Sequence, residues 1–202
     1  MKKPAIGRNC VILAAACLAL LWMTSTVGAE KEGYLERFSS RAMSLNTGSS
    51  ETIRVDITIT AWSSDEDREK LKAAAEESSD AVTKALESLP EVGYVNLGKN
   101  RHSIRYTRQF PKDDGRTIIV GTYRILTGSE VRGTNSGQSE QFTTGFARLE
   151  LNAKGKGEGT LTPAAQISYD AEKNKLNVEM LQVQPYRLMG VSTHVPKNKD
   201  KG

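Results

Sequence analysis

The sequence is nearly free of cysteine: Cys10 and Cys17 are its only two, and both lie close to the N-terminus. Histidine is as scarce, with only His102 and His194. Neither has a His, Asp or Glu at metal-ligand spacing on the same predicted element, so we expect no zinc site and no other cofactor. The chain also lacks the Gly-x-Ser-x-Gly motif that marks the nucleophile of an α/β-hydrolase. No catalytic residue can be assigned from the sequence.

A phosphate-binding loop is also missing, although one glycine-rich run resembles it. Gly155-Lys156-Gly157-Glu158-Gly159 lacks the Gly-Lys-Ser/Thr ending of that loop, and a predicted strand follows it where a helix is required. We interpret the run as a hairpin turn with a β-bulge.

Long apolar runs are confined to residues 10–22, a stretch too short for a typical membrane span. Lys2, Lys3 and Arg8 precede it, and Val27-Gly28-Ala29 follows it. This order is typical of a signal peptide over residues 1–29 and predicts cleavage between Ala29 and Glu30. An uncleaved membrane anchor and a lipoprotein modified at Cys17 are the alternatives. We therefore expect export to the periplasm or the extracellular medium.

Removal of residues 1–29 changes what the composition implies. Both cysteines leave with the signal, which excludes disulfides and thiol catalysis in the mature chain. The formal net charge falls from +4 to about +1, so the basic character of the precursor does not indicate nucleic-acid binding. The remaining 173 of 202 residues suffice for one domain. We expect that domain over residues 30–194 and a disordered, Lys-rich tail over residues 195–202.

The clearest strand covers residues 52–61, where apolar and polar side chains alternate strictly. Ile53, Val55, Ile57, Ile59 and Ala61 are expected on one face, and Arg54, Asp56, Thr58 and Thr60 on the other. This alternation is typical of an antiparallel sheet with one buried face and one polar face.

Residues 64–89 form the one strongly helical stretch. Ser63 with Glu66, or Ser64 with Asp67, can form a capping box at its start. Ser78-Ser79-Asp80 predicts a break between two short helices, and Pro90 ends the second. The acidic side chains form either a solvated face or a partner surface: Glu66, Glu69, Glu76 and Glu77.

Almost all the rest of the chain indicates strands. They are predicted at residues 36–45, 92–97, 103–110, 116–126, 142–151, 157–169, 176–184 and 186–191. A hairpin turn is predicted at residues 111–115 and a long loop at residues 127–141. About eight strands joined mostly by short turns predict an α+β protein: a mostly antiparallel β meander, curled into a barrel or half-barrel, with a two-helix insertion after an early strand. A β-sandwich with a packed helix is the alternative.

Arginine on predicted strands is the most suggestive chemical feature. The candidates for anion binding are Arg105, Arg108, Arg124, Arg148 and Arg187, and Tyr106, Tyr123 and Tyr186 lie near them in sequence. If several converged at a barrel mouth, they could bind a carboxylate or a phosphate through paired hydrogen bonds. The alternative is cross-strand pairing with Asp56, Glu150 and Glu179.

Several short motifs carry a resemblance: Arg37-Phe38, Trp62-Ser63-Ser64-Asp65 with Glu69 and Leu71, Val92-Gly93-Tyr94-Val95, Ile104-Arg105-Tyr106 with Arg108, Asp114-Gly115, residues 155–159, and Gln184-Pro185-Tyr186-Arg187-Leu188. In these the chain resembles a family of small secreted bacterial proteins with no assigned function. The resemblance covers most of the mature chain and implies one exported domain, but it implies no activity, cofactor or catalytic residue.

Three function classes therefore stand open. The first is an exported, non-enzymatic protein that binds a small or amphipathic ligand inside the curled sheet. The second is an envelope or extracellular protein–protein interaction module that uses sheet edges, the helical face or the loop at residues 127–141. The third is a hydrolase or isomerase with an unrecognised site. We expect a small-molecule ligand or a protein partner, no nucleic acid, and no membrane span after signal removal.

Overall fold

The structure is a computed structural model that describes residues 33–43, 52–126, 143–170, 175–180 and 185–196. The predicted signal peptide, the predicted loop at residues 127–141 and most of the Lys-rich tail lie outside these ranges. The described elements belong to one compact unit that begins at Gly33. Within the described ranges, no helix combines the length and the apolar character needed to cross a bilayer.

Ten strands and two helices make up the described part of the chain. In order they are β1 (Glu36–Met43), β2 (Thr52–Ile59), α1 (Asp65–Glu77), α2 (Ser79–Ser88), β3 (Gly93–Leu97), β4 (Asn100–Ile104), β5 (Tyr106–Lys112), β6 (Gly115–Thr122), β7 (Thr144–Asn152), β8 (Lys156–Asp170), β9 (Lys175–Met180) and β10 (Tyr186–His194).

All these strands belong to one antiparallel sheet with the order β4-β3-β2-β1-β10-β8-β7-β6-β5, and β9 pairs with β8 off this path. The two terminal strands, β4 and β5, are consecutive in sequence and separated only by Arg105. The sheet must therefore curl until its ends approach each other. At that point the Arg105 amide donates a hydrogen bond to the Gly121 carbonyl of β6 (3.0 Å). The predicted antiparallel, curled half-barrel is confirmed.

The apolar side chains that alternate along β2 lie on the face of the sheet that is buried inside the curl. Val55, Ile57 and Ile59 are at most 1% exposed, and they pair with the inward-facing positions of β1. The interior is filled by large apolar side chains, among them Phe38, Ile104, Ile118, Leu149, Leu161 and Leu188. A small curled sheet that is packed in this way leaves its open space outside the core.

The two predicted helices and the break between them are confirmed. Ser64 and Asp67 form the capping box of α1, and Ser78 ends α1 and caps α2. Val82, Ala85 and Leu86 form the buried stripe of α2. The helices pack on a sheet face against a separate apolar cluster that includes Tyr106, Tyr123, Ile167 and Tyr169.

The region between β3 and β6 differs from its prediction. Residues 103–110, predicted as one strand, are divided at Arg105 between β4 and β5, and the turn at Gly98 that starts β4 was not predicted. Gly98 has φ +60°, a conformation that glycine adopts readily. Pro111, predicted in the turn, lies within β5, where a terminal strand tolerates its missing N–H. Ser63 pairs with Thr107 through its backbone amide and its hydroxyl (both 3.0 Å), which covers this edge.

Candidate functional site

A groove of about 670 Å³ lies at the seam where the sheet ends approach each other, and one of the predicted arginines, Arg124, lines it. We call it the seam groove. It is lined by Thr83 and Glu87 of α2, Arg101, His102 and Ser103 of β4, Thr122 to Ile125 at and after the end of β6, and Thr143 before β7. Its volume is within the usual range for pockets that bind small ligands.

Tyr123 is one of the residues that line the seam groove, and two arginines contact its ring. The guanidinium carbon of Arg124 is 5.0 Å from the ring centroid, and that of Arg105 is 5.1 Å from it. Arg105 Nη1 also donates to the Leu89 carbonyl after α2 (2.8 Å). Arg105 therefore connects the β4–β5 junction, the end of α2 and the tyrosine, whereas Arg124 is exposed on the groove wall.

Threonine hydroxyls fix the backbone around this ring. Thr122 Oγ1 donates to the Arg124 carbonyl (2.7 Å) and accepts from the Gly145 amide (3.0 Å), which holds the turn that carries Tyr123. On the opposite side, the hydroxyls of Thr83 and Thr143 share a hydrogen bond of 2.6 Å that joins α2 to the start of β7. The groove walls are thus positioned by hydrogen bonds from three separate elements, which favours a preformed site.

The charge of the lining favours an anion. Arg101 and Arg124 contribute two guanidinium groups, Glu87 contributes one carboxylate, and His102 adds an imidazole. Arg101 is itself held over the Tyr94 ring, with its guanidinium carbon 3.7 Å from the centroid, and lies 3.6 Å from a Glu91 carboxylate oxygen. Guanidinium groups bind carboxylate and phosphate oxygens through parallel N–H donors, so this lining suits such a ligand.

Of the five predicted arginines, the structure brings Arg105 and Arg124 together on Tyr123 and places the other three elsewhere. Arg108 is hydrogen-bonded to Asp65 at the start of α1. Arg148 Nε donates to Glu150 (2.6 Å), and Arg187 donates to Glu158 (2.7 Å). Each of these three is paired with a carboxylate, but only Arg187 and Glu158 form a cross-strand pair of the kind that the alternative interpretation predicted. Of the predicted partners, Glu150 pairs with Arg148 of its own strand, and Asp56 is hydrogen-bonded to Arg54.

Pairing with basic side chains changes the pKa of Glu150. Burial acts to raise the pKa of Glu150, but hydrogen bonds from Lys112, Thr117 and Arg148 outweigh it and hold that pKa below its usual value. Arg148 is therefore engaged by an ionised partner at neutral pH.

The polar side chains of β4 at the seam groove do not form a Ser–His pair. His102 and Ser103 are adjacent on β4, so their side chains point to opposite faces of the strand. Ser103 Oγ donates to Glu91 (2.7 Å) rather than to the imidazole. Among the described residues, no three His, Cys, Asp or Glu side chains are grouped in a way that could hold a metal ion.

The glycine-rich run is part of the β7–β8 hairpin, as predicted. Gly155 has φ +69°, and the Asn152 side chain accepts hydrogen bonds from the Lys154 and Lys156 amides (3.0 and 3.1 Å) in the same turn. A Cβ on Gly157 would lie 1.8 Å from the Glu150 carbonyl oxygen. Only glycine at this position therefore lets β7 and β8 lie as close together as they do.

Sequence reasoning missed Arg101 and the position of His102 in the groove, because both precede the strand predicted to start at residue 103. The available signal was Gly98-Lys99, a short turn whose recognition would have placed Arg101 on a strand. Comparison of the chain with protein-family models, with curated proteins and with solved structures gave no match. The family resemblance inferred from the sequence stays a prediction.

Proposed function

We propose that this chain is an exported, non-enzymatic binding protein that holds a small anionic ligand, a carboxylate or a phosphate ester, in the seam groove. The observation that carries the proposal is the meeting of Arg101, Arg124 and the Tyr123 ring on one open groove. The aromatic ring supplies apolar contact area, and the guanidinium groups supply paired donors.

The ligand is assigned to the seam groove rather than to the interior for a steric reason. The side chains of Phe38, Ile57 and Ile104 are at most 1% exposed and occupy the centre of the curled sheet. A ligand there would have to displace well-packed apolar groups, whereas the groove is already open. Export is supported by the sequence of residues 1–29 and by the resemblance to small secreted bacterial proteins.

Native mass spectrometry of the protein isolated from the exporting cell tests this function. We expect a bound mass that disappears on denaturation, and a polypeptide mass that begins at Glu30. Arg124→Ala, which removes an exposed guanidinium from the groove wall, should lose the bound mass without a change in melting temperature.

Arg187→Ala is the matched control, because it removes an exposed strand arginine, paired with Glu158, that lies outside the groove. It should retain the bound mass. Equal loss of the bound mass in both variants would show that the overall positive charge of the protein, and not the seam groove, holds the ligand. A single stoichiometric protein partner in the same spectrum would favour the interaction module instead.

A further inference from the structure

The charge of the described residues is unequally divided between the helices and the sheet. The two helices together carry eight acidic and four basic side chains, a net charge of −4. The polar face of β1 and β2 carries Arg37, Arg41 and Arg54 against the single carboxylate of Asp56, a net charge of +2. We call this set of three arginines the basic sheet face. Such a separation orients a molecule in the field of a charged surface.

Two arginines of the basic sheet face lie close enough to repel each other. Arg41 and Arg54 are directly opposite each other in the antiparallel register of β1 and β2, and both are exposed. Like charges in directly opposite positions destabilise a sheet. Arg54 is bonded to Asp56 of its own strand (2.7 Å), which offsets only part of this repulsion. An external anion would offset the rest.

Two exposed apolar side chains lie at the Arg37 end of β1, and one of them, Leu35, shares the basic sheet face. Leu35 is 48% exposed and Val195 64% exposed. The Leu35 amide donates to the Ile59 carbonyl (2.8 Å), so it continues β1 two residues before Arg37 and shares its face. Arg37 is paired with His194, which places Val195 at the same end of β1. The sequence then continues with Lys197, Lys199 and Lys201.

We propose that the basic sheet face docks this protein on an anionic phospholipid bilayer, with Leu35 entering the interfacial region. Basic side chains attract anionic headgroups, and a few exposed apolar side chains add contact with the acyl boundary. The negative helix pair is repelled by the same surface, which fixes the orientation. The seam groove takes no part in this docking.

Co-sedimentation with vesicles tests the docking, using an equimolar mixture of phosphatidylglycerol and phosphatidylcholine against phosphatidylcholine alone. We expect binding to the mixture only, and its loss at about 1 M salt, where the Debye length is about 3 Å. Arg41→Gln/Arg54→Gln should weaken binding about tenfold or more. Arg108→Gln/Arg148→Gln removes equal charge from β5 and β7, which are not neighbours of β1 or β2 in the sheet, and should bind like the wild type.

Leu35→Ser should weaken binding severalfold, whereas Phe110→Ser, at an exposed apolar side chain on β5, should not. Circular dichroism of each variant confirms that it is folded. Equal binding to both vesicle types, no binding to either, or equal losses in the two arginine pairs would overturn the docking. So would full competition by millimolar inorganic phosphate, which would indicate a site for a single anion.

Discussion

At the scale of the residue, Asp56 is the carboxylate whose environment gives the clearest pH dependence. Ser39 Oγ and Arg54 Nε both donate to it (each 2.7 Å). Burial acts to raise the pKa of Asp56, but these hydrogen bonds and the charges of Arg54 and Arg37 outweigh it, so the pKa lies below its usual value. A depressed pKa adds stability above the unfolded-state pKa of about 3.9, and this stability is lost as the pH falls through the folded-state value.

We expect Asp56→Asn to lower the free energy of unfolding by about 1 kcal/mol at neutral pH, since Arg54 is mostly exposed and solvent screens its charge. The difference from the wild type should narrow below about pH 4. Urea unfolding at a series of pH values measures this. Asp114→Asn, in an exposed hairpin turn, is the control and should leave the pH profile unchanged. A constant difference at all pH values would show that the charge of Asp56 is not responsible.

The arginines show what a sequence can and cannot predict at this scale. The strand positions of Arg108, Arg148 and Arg187 were predicted correctly, whereas Arg105 and Arg124, also predicted on strands, lie just outside the observed ones. Pairing with nearby carboxylates was also predictable. The meeting of Arg105 with Arg124 on Tyr123 was not, because it depends on how far the sheet curls. Arg101 was missed since its strand depends on one short turn. Local patterns report which face a side chain takes, but not which distant strand comes to lie beside it.

At the scale of the element, the helices were predicted best because capping side chains mark their ends in the sequence. Ser78 serves both helices: its amide donates to the Ala74 carbonyl (3.0 Å), and its hydroxyl accepts from the Ala81 amide (3.1 Å). Its amide is retained by any residue except proline, so the hydroxyl is what a substitution removes.

We expect Ser78→Ala to lower the free energy of unfolding by about 1 kcal/mol, the usual cost of a lost N-cap. Ser78→Asn, which retains a capping oxygen, should recover most of that loss. Chemical denaturation of the two variants beside the wild type measures the effect. Equal destabilisation by Ala and Asn would mean that Ser78 acts through packing and not through its cap.

The strands were predicted less well than the helices in number and limits. Alternation correctly identified the buried face of β2, yet Thr58, on its polar face, is only 2% exposed. It lies between Arg37 and Tyr94 of the neighbouring strands, whose long side chains lie beside it. The residue pattern of one strand cannot show that a polar side chain is buried by its neighbours, because those neighbours belong to strands that are distant in sequence.

At the scale of the whole molecule, the ion pair between Arg116 and Glu36 joins strands that lie far apart in the sheet. Arg116 of β6 is hydrogen-bonded to Glu36 of β1, and Thr193 of β10 donates to the same carboxylate. The Glu36 side chain is 6% exposed and that of Arg116 28%. Because β1 and β6 are separated in the sheet order by β10, β8 and β7, this pair holds the curl closed.

We expect Arg116→Ala to destabilise the protein by about 3 kcal/mol, since it leaves the buried carboxylate of Glu36 without its cation. Glu36→Leu/Arg116→Met, which removes both charges at similar volume, should recover much of this loss. Thermal unfolding of the single and double variants compares them. A double variant no more stable than Arg116→Ala would contradict the assignment of the loss to an unpaired buried carboxylate.

The seam groove as an anion site is tested most directly by an amide NMR titration with succinate and with inorganic phosphate. We expect saturable shifts, with at least one of the two anions, that cluster at Arg101 to Ser103 and Thr122 to Ile125. Arg124→Ala should abolish these shifts. The absence of saturable shifts at these amides, or their restriction to Arg37, Arg41 and Arg54, would contradict binding in the groove.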